Sequence, residues 1–289
     1  MKRPGALALL ASLVVLPTLS PPLYGQAPVD RAEARSFVEA ARRAAVRFAD
    51  RSTAVRSGYR RVGPDFPGMG EHWVHPGRII SGTIDATQPP ILSYATRDGR
   101  PTLVGVAFAV PLGPGEPPPS APFDPEVWHD HTSAVQEELL FPNHPASMHG
   151  DAGGYRLGVV HVWTGVENAA GILTQNNWAL PFWREGLEAP SPVSQAAARA
   201  VSLGRDGGFY RQLLHRAADL SPEEGVAVDA ALARSGTAAR RAIEGYRSNP
   251  SVPIDQRSLE AIWEALWREI RDTVDREKWV AISRVAGLS

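Results

Sequence analysis

The chain has 289 residues, a formal net charge of -1 and no cysteine. The near-neutral charge argues against a protein that coats nucleic acid or holds a membrane surface through polybasic segments. Without cysteine there are no disulfides, so packing alone must stabilise the fold, and the chain is long enough for that.

The beginning of the chain has the pattern of an export signal. Lys2 and Arg3 precede an apolar run at residues 7–16, and Gly25-Gln26-Ala27 supplies small residues for cleavage after Ala27. We therefore expect an exported protein, periplasmic or secreted. An uncleaved anchor is the alternative, although the run is shorter than the roughly 20 residues of a spanning helix. Once the signal is removed, no other stretch is apolar enough to span a membrane.

An amphipathic helix is predicted next. Asp30 and Glu33 form a capping-box pattern, and apolar residues recur at helical spacing between Phe37 and Phe48. The helix should run to about residues 53–57. The sequence Gly63-Pro64-Asp65-Phe66-Pro67-Gly68 then predicts a break in regular structure.

The following part predicts a small antiparallel sheet. Residues 91–95 and 103–110 have the composition of strands, and Asp98-Gly99 between them is a hairpin turn signal. A proline-rich loop at 111–122 follows, and residues 124–141 are expected to contain a short helix. A further strand is predicted at 155–163.

The composition changes near residue 190 to alanine-rich helical runs. Ser191-Pro192 and Ser221-Pro222-Glu223-Glu224 each predict a helix start, and a last helix is predicted from about Leu259 to Val285. The expected fold class is α+β, with an N-terminal helix, a small mainly antiparallel sheet and an all-helical C-terminal region. We expect three parts: a signal peptide at 1–27, an α+β histidine-rich domain at 28–188 and the helical region at 189–289.

Seven of the eight histidines lie between His72 and His161, in about a third of the chain. Without cysteine, a transition-metal site here would consist of imidazole and carboxylate groups. His72 and His75 would share a face only in a helix, which Pro76 disfavours at the preceding residue. His72 is therefore expected to face the site. His161 lies on a buried-looking strand, where an imidazole needs polar partners.

His129 and His131 are two residues apart, which places both rings on one side of an extended backbone. The predicted metal site, for zinc or copper, thus has four ligands: His72, His129, His131 and His161. His149 and Glu71 are reserve ligands. An open coordination position would allow water activation or dioxygen binding, with Glu137 or Glu138 as general base. Whether the protein is an enzyme or handles metal stays open.

Other interpretations fit the same residues. The histidines could be scattered structural residues, or His161 and a carboxylate could form a metal-free acid–base pocket. His75 and His144, each followed by proline, are expected in exposed loops, and His215 lies apart on a helix. The alternative function is a non-enzymatic module that holds a small ligand or a partner on a tryptophan-rich sheet. Five tryptophans share the histidine-rich part, and core packing is the favoured interpretation for them: Trp73, Trp128, Trp163, Trp178 and Trp183.

Several short motifs occur in a recognisable order. They are Met69-Gly70-Glu71-His72-Trp73-Val74, Leu103-Val104-Gly105-Val106-Ala107-Phe108 and Val160-His161-Val162-Trp163. In this order the chain resembles a group of exported bacterial proteins of unassigned function, which share a Met-Gly-x-His-aromatic-Val element, a Leu-Val-Gly-Val-x-aromatic strand and a His-x-Trp strand.

The resemblance covers about residues 57–183 and implies no activity. It implies that His72 and His161 are the matching histidines. The chain departs from the group at Asn176-Asn177-Trp178, where the group has Asn-Pro. The pair His129 and His131 and the helical C-terminal region lie outside the shared pattern.

Overall fold

The computed structural model describes residues 32–130 and 156–288. Within them the fold is α+β, as the sequence predicts. Its helices are α1 (Ala32–Ala45), α2 (Arg51–Arg56), α3 (Pro76–Ser81), α4 (Leu180–Arg184), α5 (Gln195–Ala217), α6 (Pro222–Ser248), α7 (Gln256–Thr273) and α8 (Arg276–Ala286), with 3-10 turns at Val46–Phe48 and Pro125–Val127. Its strands are β1 (Arg60–Phe66), β2 (Gly70–Val74), β3 (Ile91–Arg97), β4 (Arg100–Leu112), β5 (His129–Asp130) and β6 (Arg156–Trp163).

Some sequence predictions concern residues outside the described ranges. These are the signal peptide, the cap at Asp30, most of the helix expected within 124–141, and the side chains of His131, Glu137, Glu138, His144 and His149. Among the described helices, none combines the length and the apolar character needed to cross a bilayer.

The six strands form one antiparallel sheet in the order β1-β2-β3-β4-β6-β5. The predicted hairpin is confirmed as β3 and β4. Its turn has Asp98 at φ 51° and Gly99 at φ 73°, the pair of positive angles that a two-residue type I′ turn requires. The predicted strand at 155–163 is confirmed as β6.

The predicted N-terminal helix is confirmed, with an interruption. Val38, Ala41, Ala45 and Phe48 are buried, as the periodicity indicates. The chain leaves α1 through the 3-10 turn and restarts as α2, because the side chain of Asp50 accepts a hydrogen bond from the backbone N–H of Ser52 at 2.9 Å and caps the second helix.

The predicted break at residues 63–68 is correct only for its end: β1 runs to Phe66, and Pro67 and Gly68 lie in a turn. Pro64 is tolerated because β1 is an edge strand, where a missing N–H costs no ladder hydrogen bond. The register with β2 shifts between Val62 and Asp65, and Gly63 has φ 72°. A bulge of this kind lets the strand continue through residues that favour turns. The chain reverses only after Phe66, whose carbonyl accepts from the N–H of Met69 at 3.1 Å.

One predicted helix start in the C-terminal region is also wrong. Ser191-Pro192 does not start a helix; α5 begins at Gln195, with Ser194 as its cap. The side chain of Gln256, at the start of α7, accepts from the N–H of Ser194 at 2.6 Å and donates to the carbonyl of Pro192 at 3.0 Å. This tertiary contact fixes the segment outside the helix. By contrast, the capping box at Ser221 is confirmed.

The predicted last helix is two helices: α7 ends at Thr273, with Val274 as its C-cap, and Asp275 begins α8. Its side chain accepts from the backbone N–H of Lys278 at 2.9 Å, which caps α8. The apolar face of α7 is confirmed, with Trp263, Leu266, Trp267 and Ile270 buried.

The two faces of the sheet carry different cores. One face packs against α1 and the turns that follow it, through residues such as Phe48, Leu92 and Phe108. The opposite face has two apolar clusters. The larger extends from Phe66 and Trp163 through the C-terminal helices, so it continues across the predicted boundary at residues 188 and 189. The smaller is centred on Ile91, Ala107, Ala109 and Val159 and includes Ile79 of α3. The site described next is on this second face.

Candidate functional site

Strand β2 divides its polar residues between the two faces of the sheet. Because side chains alternate along a strand, His72 lies on the face of the smaller cluster while Glu71 and Trp73 lie on the other. The register places His72 opposite Ser93, Ser93 opposite Gly105, and Gly105 opposite Trp163. One row across four strands therefore joins His72 to Trp163.

Three of the four predicted ligands meet on this face. The rings of His72 and His161 are 5.7 Å apart between centroids and meet edge to face. His161 also stacks on His129, with centroids 5.1 Å apart and an interplanar angle of 28°. His161 is 1% exposed and His72 is 9% exposed, so the contact between them is made away from solvent.

The rings can meet because the residues between them are small. The strands of His72 and His161 are separated by β3 and β4. His72 lies in the row of Ser93 and Gly105, and His161 lies in the neighbouring row, opposite Ala107. A methyl group added at Gly105 would lie 3.0 Å from Cε3 of Trp163. The absence of a side chain at Gly105 thus leaves space for the indole of Trp163, which stacks on His161.

Trp163 completes a stack of three rings. It lies on the far side of His161 from His129, with centroids 5.5 Å apart and an interplanar angle of 22°. Its Nε1 donates to the carbonyl oxygen of Thr174 at 2.7 Å. The hydroxyl of Thr174 accepts from Nδ2 of Asn168 at 2.6 Å. The indole is therefore fixed by a hydrogen-bonded loop, and it holds the imidazole of His161 in place.

A second polar contact connects this loop to the strand of His72. The backbone N–H of Asn177 donates to the carbonyl of Gly68 at 2.8 Å, and its side chain donates to the carbonyl of Val166 at 3.0 Å. Gly68 lies in the turn just before β2. Asn177 is completely buried and ties the loop after β6 to the strand that carries His72. The sequence did not indicate Asn168 and Asn177 as supporting residues, because a position one or five residues from the nearest tryptophan carries no signal of that role.

Ser93 adds a polar atom to the floor of the site. It is fully buried, and its Oγ has no hydrogen-bond partner in the part of the chain that the structure describes. A buried hydroxyl normally has a hydrogen-bond partner, so a polar group bound next to Ser93 would be stabilised there. Ser93 pairs directly with His72 and so shares its face of the sheet.

The distances between these rings are compatible with a shared metal ion. With metal–nitrogen bonds of about 2.0–2.1 Å, the ring centroids of two imidazoles on one zinc lie roughly 5–6 Å apart. The two centroid distances at His161 fall in this range. Because imidazole binds a metal in its ring plane, one of the two stacked rings, His129 or His161, has to turn before both can face one ion. The described residues nevertheless contain no group of three histidine or carboxylate side chains already arranged as a metal site, and the fourth predicted ligand, His131, lies outside them.

Glu71 is not a reserve ligand, which corrects the sequence prediction. It lies on the opposite face, where its carboxylate contacts Arg51 at 3.0 Å and Arg61 at 3.3 Å. It also accepts from Nε1 of Trp73 at 3.2 Å. Glu71 and His72 are adjacent in the strand, so their side chains lie on opposite faces of the sheet. Glu71 contributes to a charged cluster and His72 to the histidine site.

His75 is neither a ligand nor an exposed loop residue. It has the extended backbone expected before Pro76, and it caps α3, with its Nδ1 accepting from the backbone N–H of Arg78 at 3.4 Å. Its half-buried ring packs on Tyr59 with centroids 5.4 Å apart. His215 lies on a helix, as predicted, and its Nε2 is 2.9 Å from Oδ1 of Asp229.

The tryptophans do not share one ligand surface. Trp163 is on the histidine face and Trp73 on the opposite one, where it packs on Tyr94. Trp128 is buried against Phe123 in the core below α1. The preference for core packing is therefore confirmed for Trp128 and Trp163.

The structure contains a second charged cluster that the sequence did not reveal. Arg184 is buried and contacts Oδ1 of Asp65 at 2.5 Å and Oδ2 of Asp206 at 3.6 Å. Asp206 interrupts α5, with φ -100° and ψ 23°. Burial raises the pKa of Asp206 to about 6, against the lowering effect of Arg184. Burial also raises the pKa of Asp65. These residues are far apart in sequence, so no local pattern brings them together.

No protein family model, no curated protein and no solved structure matches the chain.

Proposed function

We propose that this is an exported protein that binds zinc or copper through His72, His129 and His161. The observation that carries the proposal is the meeting of three imidazoles from three separate strands on one buried patch of the sheet. Scattered structural histidines have no reason to converge in this way. His131, two residues beyond His129, remains the fourth ligand that the sequence predicts.

The surroundings of the three rings fit a metal site in two respects. Trp163 and its loop fix the orientation of His161, and fixed ligands of this kind raise metal affinity. The hydroxyl of Ser93 is suited to a hydrogen bond with a water or other ligand in a remaining coordination position. Neutral imidazole suits both zinc and copper, so the proposal keeps both metals.

The experiment is a zinc and copper titration of protein purified without a metal-affinity column. His72→Ala and His161→Ala should each weaken binding by at least about tenfold, since each removes a ligand. His75→Ala and His215→Ala are the matched controls and should bind like the wild type, because both imidazoles lie outside the cluster.

Two results would count against the proposal. One is a wild-type protein that binds neither metal at about 0.1 mM, a concentration well above the dissociation constants of structural zinc sites. The other is unchanged affinity in both ligand variants. Thermal melting of each variant separates loss of the site from loss of the fold: His72→Gln is the second variant if an alanine variant does not fold.

A further inference from the structure

A charged groove of about 400 Å³ lies on the helical region, away from the histidines. It runs between α5 and α6 and reaches the residue that follows α4. Six charged residues line it: Arg205, Arg240, Arg241, Arg247, Glu185 and Glu244. A recess of this volume is within the range of small-molecule sites.

Arg240 is held in a fixed position by neutral acceptors. Its Nη1 donates to the carbonyl oxygen of Gly204 and its Nη2 to the hydroxyl of Thr237, each at 2.9 Å. A methyl group at Gly204 would lie 3.0 Å from Cγ of Arg240, so the glycine lets the arginine lie across the backbone of α5. These two bonds use two of the five N–H donors of the guanidinium and leave its charge uncompensated.

The carboxylates near the groove are already engaged by other arginines. Arg247 donates to the carboxylate of Glu185 and, from Nε, to its carbonyl at 2.8 Å. Arg247 also lies 3.6 Å from Glu244. Arg205 lies 3.5 Å from Asp206. Among the described residues, neither Arg240 nor Arg241 forms an ion pair with a carboxylate, so two positive charges remain for a ligand.

The helix dipole does not account for these two arginines. Cations stabilise a helix within its last turn, and α6 ends at Ser248. Arg247 is in that turn, whereas Arg240 and Arg241 are about two turns earlier. Both arginines are exposed to solvent at the groove, where a ligand can reach them.

We infer that this groove binds the phosphate group of a small molecule, with Arg240 and Arg241 as its principal ligands. Guanidinium groups present a planar fork of donors that matches phosphate oxygens, and the volume beyond the arginines accommodates the rest of a small phosphorylated molecule. The inference is independent of the proposed metal site.

The test is calorimetric titration with inorganic phosphate, and separately with a sugar phosphate, at constant ionic strength. The protein is first freed of metal with a chelator, so that the histidine site contributes nothing. We expect the wild type to bind the sugar phosphate, and the double variant Arg240→Gln, Arg241→Gln to bind it at least about tenfold more weakly, because it loses two charge-assisted contacts.

Two further variants distinguish binding at the groove from a general attraction of phosphate by positive charge. Arg268→Gln removes one exposed arginine on α7, outside the groove, and should bind like the wild type. Gly204→Ala keeps every charge but crowds Arg240, and should also weaken binding. The inference is overturned if the wild type binds neither phosphate compound at 5 mM, roughly the upper limit of a specific small-molecule site, or if the double variant and Arg268→Gln lose affinity equally. Binding of inorganic phosphate alone supports the arginine pair but contradicts a larger phosphorylated ligand.

Discussion

His72 and His161 meet edge to face at 5.7 Å, although β3 and β4 lie between their strands. His72 lies in the row of Ser93 and Gly105, and His161 lies in the neighbouring row, opposite Ala107. Small side chains at these positions leave room for the two imidazoles to meet above the sheet. The histidine site is therefore a property of the strand register, and it can be tested through residues that are not themselves ligands.

The first prediction concerns Gly105. Gly105→Ala places a methyl group 3.0 Å from the indole of Trp163, which must move and carry His161 with it. We expect zinc affinity to fall about tenfold, the lower end of the effect of a supporting residue. The control is Gly158→Ala in the same strand pair, where the added methyl meets the flexible end of Leu112 at 2.9 Å. Equal zinc affinities in the two variants would contradict the role given to Gly105.

The second prediction concerns Gly70, the first residue of the strand that carries His72. It has φ 82°, and an added Cβ would overlap the carbonyl oxygen of Tyr94. Gly99 also has a positive φ but has open space around it. Gly99→Ala should cost about 1–2 kcal/mol of the free energy of unfolding, the penalty of the left-handed conformation alone. Gly70→Ala should cost at least about 3 kcal/mol, because overlap with the backbone adds to that penalty. Urea denaturation measures both, and equal losses would count against the close approach of β2 and β3.

The third prediction separates the two faces of β2. Glu71→Gln removes the negative charge that faces Arg51 and Arg61. We expect a loss of about 1–3 kcal/mol in the free energy of unfolding, between the values for exposed and buried ion pairs, because both arginines remain partly exposed. Zinc affinity should stay at the wild-type level, since the carboxylate lies on the face opposite His72. Weaker zinc binding at unchanged stability would show that Glu71 is a ligand after all.

The fourth prediction uses the charged cluster around Arg184. The pKa of Asp206 is raised from 3.8 to about 6 in the folded protein, so its proton is bound more tightly in the folded state than in the unfolded state. This contribution to stability is complete below about pH 4 and is lost as the pH rises through 6. A difference of two units corresponds to about 3 kcal/mol.

Asp206→Asn should remove that pH dependence. Relative to the wild type, the variant should gain up to about 3 kcal/mol of stability between pH 4 and pH 8, because the amide never ionises. Urea denaturation at several pH values measures the difference. Asp98→Asn is the control, since Asp98 is exposed in a turn where asparagine tolerates a positive φ. If wild type and Asp206→Asn have parallel stability profiles, the carboxylate is not buried as described.

Local signals predicted part of the fold well. The turn at Asp98-Gly99 and the capping box at Ser221 are confirmed because each depends on a few adjacent residues and their backbone angles. The strand β2 and the helix α3 were missed. The alternation of His72 and Val74 with Glu71 and Trp73 carried the signal of a strand, but polar residues on both faces obscured it.

Other features depend on contacts across the fold. The start of α5 is set by Gln256, and the continuation of β1 through Pro64 is set by its place at the edge of the sheet. For the same reason, the sequence predicted only part of the candidate site. Clustering in sequence indicated His72, His129 and His161. Only the register could show that Ser93 and Gly105 lie in the row of His72 and that Glu71 faces the other way.

The most direct test of the central claim is X-ray absorption spectroscopy of the zinc-loaded protein. The account predicts a first shell with three or four imidazole nitrogens at about 2.0–2.1 Å, and one imidazole fewer in His161→Ala. A zinc ion surrounded by oxygen atoms, or by a single imidazole, in the wild-type protein would contradict it.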